Sequence, residues 1–225
     1  MITRSAFLRK VLGLVALLLL PGALLADAPA IKVACIGDSI TAGFGISKDH
    51  LNYPQQLAAK LGPGYKVQNF GASGRTMLNS GNAPYQRTRN WTDAQAFQPD
   101  IAIVILGTND SKPVNFAHIT QFADDATALV RTLKALPSKT RVFIALPTPV
   151  FKTAFTINEE NMIPIRGLIK SVAAQEKIPV IDLSAALADQ KRLFGDGVHP
   201  NGAGAELIAN AVIETLKKAQ IITTP

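Results

Sequence analysis

A single cysteine, Cys35, stands in the whole 225-residue chain, so neither an internal disulfide framework nor a cysteine-rich zinc site can be built from it. Histidine is nearly as scarce, at positions 50, 118 and 199 only, and no metal or other cofactor is expected. Charged residues are 17% of the sequence and no tract is of low complexity, which excludes a disordered tail, a collagen-like rod and a coiled coil. No apolar run reaches the ~20 residues that a membrane-spanning helix needs; the longest covers residues 11–20. What the chain does have is 48% apolar residues, enough to bury a sizeable core.

The first 26 residues read as a secretory signal peptide. Arg4, Arg9 and Lys10 form a basic start, Val11 to Leu20 an apolar stretch, and Pro21-Gly22 a break. Small residues at Ala23, Ala26, Ala28 and Ala30 follow, so cleavage is expected after Ala26 or Ala28. A retained anchor is the alternative. The mature domain would then be residues 27–225, exported to the periplasm or the exterior, with no stable insertion in a membrane. Cys35 lies past either cleavage point and inside a predicted strand, which argues against a lipoprotein anchor. The net charge of +7 falls to +4 without residues 1–26, which hold three basic and no acidic groups. That excess is scattered rather than gathered in a stripe, so no nucleic-acid partner is expected.

Beyond the leader, strands and helices alternate. Strands are predicted at Ile31–Ile36, Tyr65–Phe70, Ile101–Leu106, Arg141–Leu146 and Pro179–Leu183. Helices are predicted at Tyr53–Leu61, over a periodic stretch after Asn115 running to Leu136, at about Asn161–Glu176, and at about Ala203–Ala219, with a helical turn at Asp93–Phe97. Pro164 is compatible with the third of these helices only in its first turn. Five strands alternating with helices predict one α/β domain on a parallel sheet, whose ligands bind outside the carboxyl ends of the strands.

Polar clusters stand at those ends. Gly37-Asp38-Ser39 follows the first strand, Asn69-Phe70-Gly71-Ala72-Ser73-Gly74 ends the second, and Gly107-Thr108-Asn109-Asp110 follows the third. Asp196-Gly197-Val198-His199 precedes the last helix. Each supplies a part of acyl-transfer chemistry. A serine hydroxyl needs a neighbouring base, and His199 is the candidate. Asp196, three residues earlier, can hold the other ring nitrogen and fix the tautomer. The backbone N–H groups of Ser39 and Gly74 and the side-chain amide of Asn109 can face a developing oxyanion. Asp38 and Asp110 read as turn-holding groups, Asp182 as structural, Cys35 as a packed strand residue, and His50 and His118 as surface positions.

Taken in order, these clusters resemble the SGNH branch of the GDSL hydrolases over nearly all of the mature chain. The resemblance implies a three-layer α/β/α sandwich with a five-stranded parallel sheet, flavodoxin-like in topology, and ester hydrolysis through an acyl-serine. It maps the nucleophile to Ser39, the acid and base to Asp196 and His199, and the oxyanion donors to Ser39, Gly74 and Asn109. Gly74 is preferred to Gly71 because the family places its glycine five residues after the asparagine, here Asn69.

Substrate is less determined than chemistry. The text around the motifs (GDSITAGFG, NFGASGRT, LGTNDSKP, DGVHPN) is similar to bacterial acetylesterases of sialate or plant-wall polysaccharides, which implies an acetylated saccharide or other small ester. A lysophospholipase or thioesterase-like acylhydrolase for longer chains is the alternative, and a non-catalytic binding protein a third. Arg75, Tyr85 and Trp91 in the 75–92 loop can grip a sugar, or form a surface loop with Trp91 plugged into the core. Phe151, Phe155 and Ile157 can line an acyl or leaving-group site, or pack under their own loop.

Overall fold

Residues 29–222 are described by a computed structural model of the chain. The expected leader at 1–26 lies outside the described residues. Five strands, β1 (Ile31–Gly37), β2 (Tyr65–Gly71), β3 (Ile101–Ile105), β4 (Arg141–Leu146) and β5 (Val180–Asp182), form one parallel sheet in the order β2-β1-β3-β4-β5. Between them lie α1 (Ser39–Ala42), α2 (Tyr53–Leu61), α3 (Arg89–Ala96), α4 (Pro113–Phe116), α5 (Phe122–Lys134), α6 (Glu159–Glu176), α7 (Leu183–Ala186) and α8 (Gly202–Lys218).

Alternation along the strands divides the core into two layers. Ala34, Ile36, Ala102, Val104 and Leu106 pack with apolar residues of α3, α5 and α6. Val33, Cys35, Ile101, Ile103 and Ile105 pack with those of α2, α7 and α8. Both faces of β1 and β3 are covered, so their uninterrupted apolar sequences are the ones a central parallel strand requires. This is the expected three-layer sandwich in flavodoxin-like order. Its topological switch lies between β1 and β3, where a crevice opens at the carboxyl edge.

Local capping sets most helix starts. Asn52 and Gln55 make a reciprocal capping box at α2, with Pro54 in its first turn. Two expectations are corrected. The periodic stretch after Asn115 is not one helix: α4 ends at Phe116 and a 3-10 turn at Ile119–Gln121 intervenes before α5. Helix α6 begins at Glu159, because Asn158 caps it by accepting the N–H of Asn161, and this puts Pro164 in the second turn. The start is held further by an ion pair between Glu159 and Arg166, two turns on along the same face. Strand β5 stops at Asp182, whose side chain accepts the N–H of Ala185 and so starts α7.

Candidate active site

The register of the sheet brings three loops to one level. Gly37 lies opposite Gly71 on β2 and Ile105 on β3, so the segments after all three strands leave the same edge together. Ser39 opens α1 directly after β1. Asp38 caps this short helix by accepting the N–H of Ile40 at 3.0 Å. Asn69 ties the end of β2 to it, donating to the carbonyl of Thr41 at 2.8 Å and accepting the N–H of Gly71 at 2.8 Å.

His199 comes from the far end of the chain. Its Nε2 is 2.9 Å from Ser39 Oγ, and its Nδ1 is 2.7 Å from Asp196 Oδ2. The other carboxylate oxygen of Asp196 accepts the N–H groups of Val198 and His199, at 2.8 and 2.7 Å. Both Ser39 and His199 are buried, with under a tenth of their surface exposed. Partial burial works against the charge on Asp196, but the bonds from His199 and Val198 outweigh it and hold the carboxyl below its ordinary range. The turn is braced from the β4 side, where the N–H of Phe151 donates to the carbonyl of Gly197 at 2.8 Å.

Asn109 begins a 3-10 turn after β3, buried, with its amide Nδ2 donating to the carbonyl of Arg75 at 3.1 Å. Gly71 and Gly74 have different surroundings. A Cβ on Gly71 would collide with the backbone of Thr41 and Ala42, so this glycine permits the close approach of β2 to α1. Gly74 has φ +78°, a left-handed conformation suited to glycine, and nothing lies within 4 Å of where its Cβ would point. It lines a cavity of about 170 Å³ together with Ser39, Asn109 and His199. Phe44, Ser73, Lys112, Phe155 and Ile157 complete the walls.

Behind the cavity, Asp110 accepts the N–H groups of Met77 and Leu78 at 3.0 and 2.8 Å, both oxygens being used. Asn115 donates to the carbonyl of Asn109 at 2.8 Å and accepts the N–H of Asn82 at 2.8 Å. The loop bearing Gly74 is therefore pinned to the loop bearing Asn109. Complete burial pushes the carboxyl of Asp110 up to about 7 and that of Asp38 to about 6, despite the N–H bonds each accepts. The Thr108 hydroxyl beside Asp38 offsets part of that rise, although neither it nor Asp38 Oδ2 reaches a partner at ordinary hydrogen-bond distance among the described residues. Cys35 lies in the core, where burial raises its thiol to about 12, which makes it inert as a nucleophile at neutral pH.

The proposed sugar-gripping and acyl-lining residues separate into two groups. Phe155 is at the cavity, half exposed, with its ring centroid 5.5 Å from that of His199. Tyr85 is corrected: it is fully buried and donates its hydroxyl to the carbonyl of Phe70 at 2.6 Å, while for Trp91 the core alternative holds, since it packs near Tyr85 on α3. An apolar position on a helix wins over loop exposure there, because the helix starts at Arg89 and turns Trp91 inward. Phe151 stacks edge-on against Phe194, centroids 5.0 Å apart, beneath the loop. Arg75 contributes its carbonyl to Asn109, and its side chain is not among the cavity walls. Phe44 was missed; its ring centroid is 4.6 Å from that of His199. The signal was present in Gly43-Phe44-Gly45, where both glycines take positive φ and turn an aromatic ring out of the loop. Among the described residues no group of three or more His, Cys, Asp or Glu is placed to hold a metal ion.

A parallel α/β/α sandwich with a hydrogen-bonded Ser-His-Asp line at its carboxyl edge is an arrangement shared with known hydrolases. The GDSL-like lipase/acylhydrolase family model matches residues 35–207, and the chain belongs to that family. It is 39% identical to an acetylxylan esterase of Xylanibacter ruminicola over an alignment covering 84% of this chain and 43% of the relative, so it spans less than half of that protein's length. Among solved structures it shares its fold with Est24, a carbohydrate acetylesterase of Sinorhizobium meliloti, at 23% identity and a TM-score of 0.67, covering 85% of this chain and all of that one. The aryl esterase of M. smegmatis has the same fold, at 20% identity and a TM-score of 0.63, with 84% and 99% coverage.

Proposed function

We propose that the protein is an exported serine esterase that removes O-acetyl groups from a carbohydrate through an acyl-serine intermediate. The observation that carries this reading is the line from Asp196 through His199 to Ser39, with gaps of 2.7 and 2.9 Å, ending in a cavity walled by Gly74 and Asn109.

In the first half-reaction Ser39 Oγ attacks the ester carbonyl while its proton passes to His199 Nε2. Charge builds on the carbonyl oxygen, facing the N–H groups of Ser39 and Gly74 and the amide of Asn109. Ser39 is the first residue of α1, so its N–H has no partner within the helix. The C–O bond to the alcohol then breaks, and His199 returns the proton to the leaving oxygen. Water repeats the sequence in the second half: it attacks the acyl carbon, gives its proton to His199, and the acid leaves as Ser39 regains a proton. Asp196 holds the imidazole in the tautomer whose Nε2 can accept, and stabilises the imidazolium between the two transfers.

The cavity, at about 170 Å³, is below the usual size of small-molecule pockets, with Phe155 and Ile157 among its walls. Its size favours a short acyl group over a long one, and the likeness to an acetylxylan esterase supports acetate on a sugar. Export rests on the basic and then apolar order of residues 1–26. The test is hydrolysis of p-nitrophenyl esters from two to sixteen carbons, with Ser39→Ala as blank. A sharp preference for acetate, absent from Ser39→Ala, is expected. A maximum at eight carbons or more would move the substrate to lipids or thioesters, and full activity in Ser39→Ala would overturn the mechanism.

A further inference from the structure

A second and larger concavity, about 540 Å³, has Gly45 and Asn201 among its walls, the first next in sequence to Phe44 of the acyl-sized cavity and the second two residues after His199. It runs between the loop after α1 and the first turn of α8, and its walls include Gly45, Asp49, His50, Gln56, Asn201 and Glu206. The two spaces are neighbours along the chain. Phe44 walls the smaller one and its neighbour Gly45 the larger, and a Cβ built on Gly45 would lie 3.8 Å from His199 Cβ.

The reaction assigns different fragments to the two sides. The acyl carbonyl has to face the donors at Gly74 and Asn109. The alcohol oxygen has to receive its proton from His199, so the body of the alcohol extends toward the histidine side. Gly45, a wall of the larger concavity, stands beside that histidine.

Its chemistry matches a hydroxyl-rich partner. Ser47 bonds His50 Nδ1 at 2.8 Å and leaves Nε2 of the ring available. Gln56 spends its amide nitrogen on the carbonyls of Leu51 and Gly202, at 2.8 and 2.9 Å, and keeps its oxygen as an acceptor. Asn201 uses its oxygen on the N–H of Gly204 and retains its amide hydrogens. Glu206 holds Lys60 through one oxygen at 2.9 Å, and Asp49 adds a further carboxylate. Exposed Leu51 offers an apolar surface among these groups. Donors and acceptors interspersed with apolar surface suit the hydroxyls and C–H faces of a sugar. Two carboxylates with one paired cation disfavour an anionic one.

We infer that this groove is the leaving-group subsite and holds a neutral saccharide chain whose acetylated hydroxyl reaches Ser39. The inference rests on the esterase reading above, and it separates neutral plant-wall sugars from sialate, whose carboxylate would meet Asp49 and Glu206.

The test compares kcat/KM on acetylated xylo-oligosaccharides with that on p-nitrophenyl acetate, in the wild type, Ala203→Trp and Asp49→Ala. Ala203 is exposed on the first turn of α8 and a tryptophan there fills the groove from solvent. The expected result is a fall of at least tenfold in the ratio for Ala203→Trp, carried by KM, and a smaller fall for Asp49→Ala. An unchanged ratio in both variants overturns the subsite. So does a wild type that cleaves O-acetylated sialate in preference to the xylo-oligosaccharides. Activity on p-nitrophenyl acetate with none on any acetylated sugar defeats the carbohydrate reading, whereas no Ser39-dependent hydrolysis of either substrate defeats the esterase reading itself.

Discussion

Asn109 donates one hydrogen of its side-chain amide to the carbonyl of Arg75 at 3.1 Å, which leaves the other to face the cavity that Ser39 and Gly74 also line. The bond orients the amide before any substrate arrives, and a donor already oriented loses little on reorganisation. Asn109→Ala is therefore expected to lower kcat by about 10²–10³ while KM changes little. Steady-state kinetics on p-nitrophenyl acetate measure it, and a loss confined to KM would remove Asn109 from the oxyanion site.

Asp110 is the brace behind that donor. Both of its oxygens accept backbone N–H groups, from Met77 and Leu78, and an amide in its place turns one acceptor into a donor facing a donor. Asp110→Asn is expected to cost about 1–3 kcal/mol of stability. Its kcat should fall as well, because the loop of Gly74 loses its register. The pH dependence has a definite sign. Burial raises the carboxyl of Asp110 to about 7, so the folded protein holds this proton more tightly than the unfolded chain. The stabilisation is full below the ordinary carboxylate range and fades as pH rises to about 7. The stability gap between wild type and Asp110→Asn, measured by urea unfolding, should thus narrow from pH 4 to pH 7 and level off above. A gap that widened with pH would reverse the assignment.

Asp196 behaves in the opposite sense. Its carboxyl is held low by the bonds from His199 and Val198, so its contribution to stability is present above the ordinary carboxylate range and is lost as acid titrates it. It therefore remains ionised at neutral pH. Asp196→Asn should reduce kcat by on the order of 10⁴, since the amide favours the wrong tautomer. Near-normal turnover in that variant would leave His199 without need of an orienting acid.

Phe155 sits at the lip of the acyl-sized cavity, its ring 6.1 Å and edge-on from that of Phe44, and both Phe155 and Thr156 take positive φ. Two consecutive non-glycine residues in that region are strained, a cost accepted where a ring must be aimed. Phe155→Ala should open the cavity and raise the ratio of butyrate to acetate kcat/KM by about 10-fold or more. An unchanged ratio would place the limit on acyl length elsewhere, with Ile157 the next wall to remove.

Much of this was readable along the chain. The apolar strands at Ile101–Ile105 and Arg141–Leu146, the capped helix at Tyr53–Leu61 and the polar clusters after each strand all depend on neighbours a few residues away. What escaped depends on distant partners. Trp91 could be read as a sugar-gripping or as a core residue until α3 turned it against Tyr85, and Pro164 moved to the second turn because Asn158 and the Glu159–Arg166 pair start α6 early. Phe44 carried a local signal in its flanking glycines, but only the fold shows that His199, 155 positions later, is what its ring meets.

The sequence by itself determined the chemical inventory and its order: a serine, a glycine loop, an asparagine and an Asp-x-x-His, each beside a strand or helix end. Periodicity and turn chemistry are local, so they can be read without knowing what lies across the sheet. The choice of Gly74 over Gly71 already followed from its spacing to Asn69, whereas tertiary structure alone decided which aromatics reach the cavity and that a groove lies near His199. Those outcomes follow from the level of Gly37 with Gly71 and Ile105 in the sheet, and from burial in two packed layers. Both join residues that chain separation keeps apart, and no window along the sequence contains them.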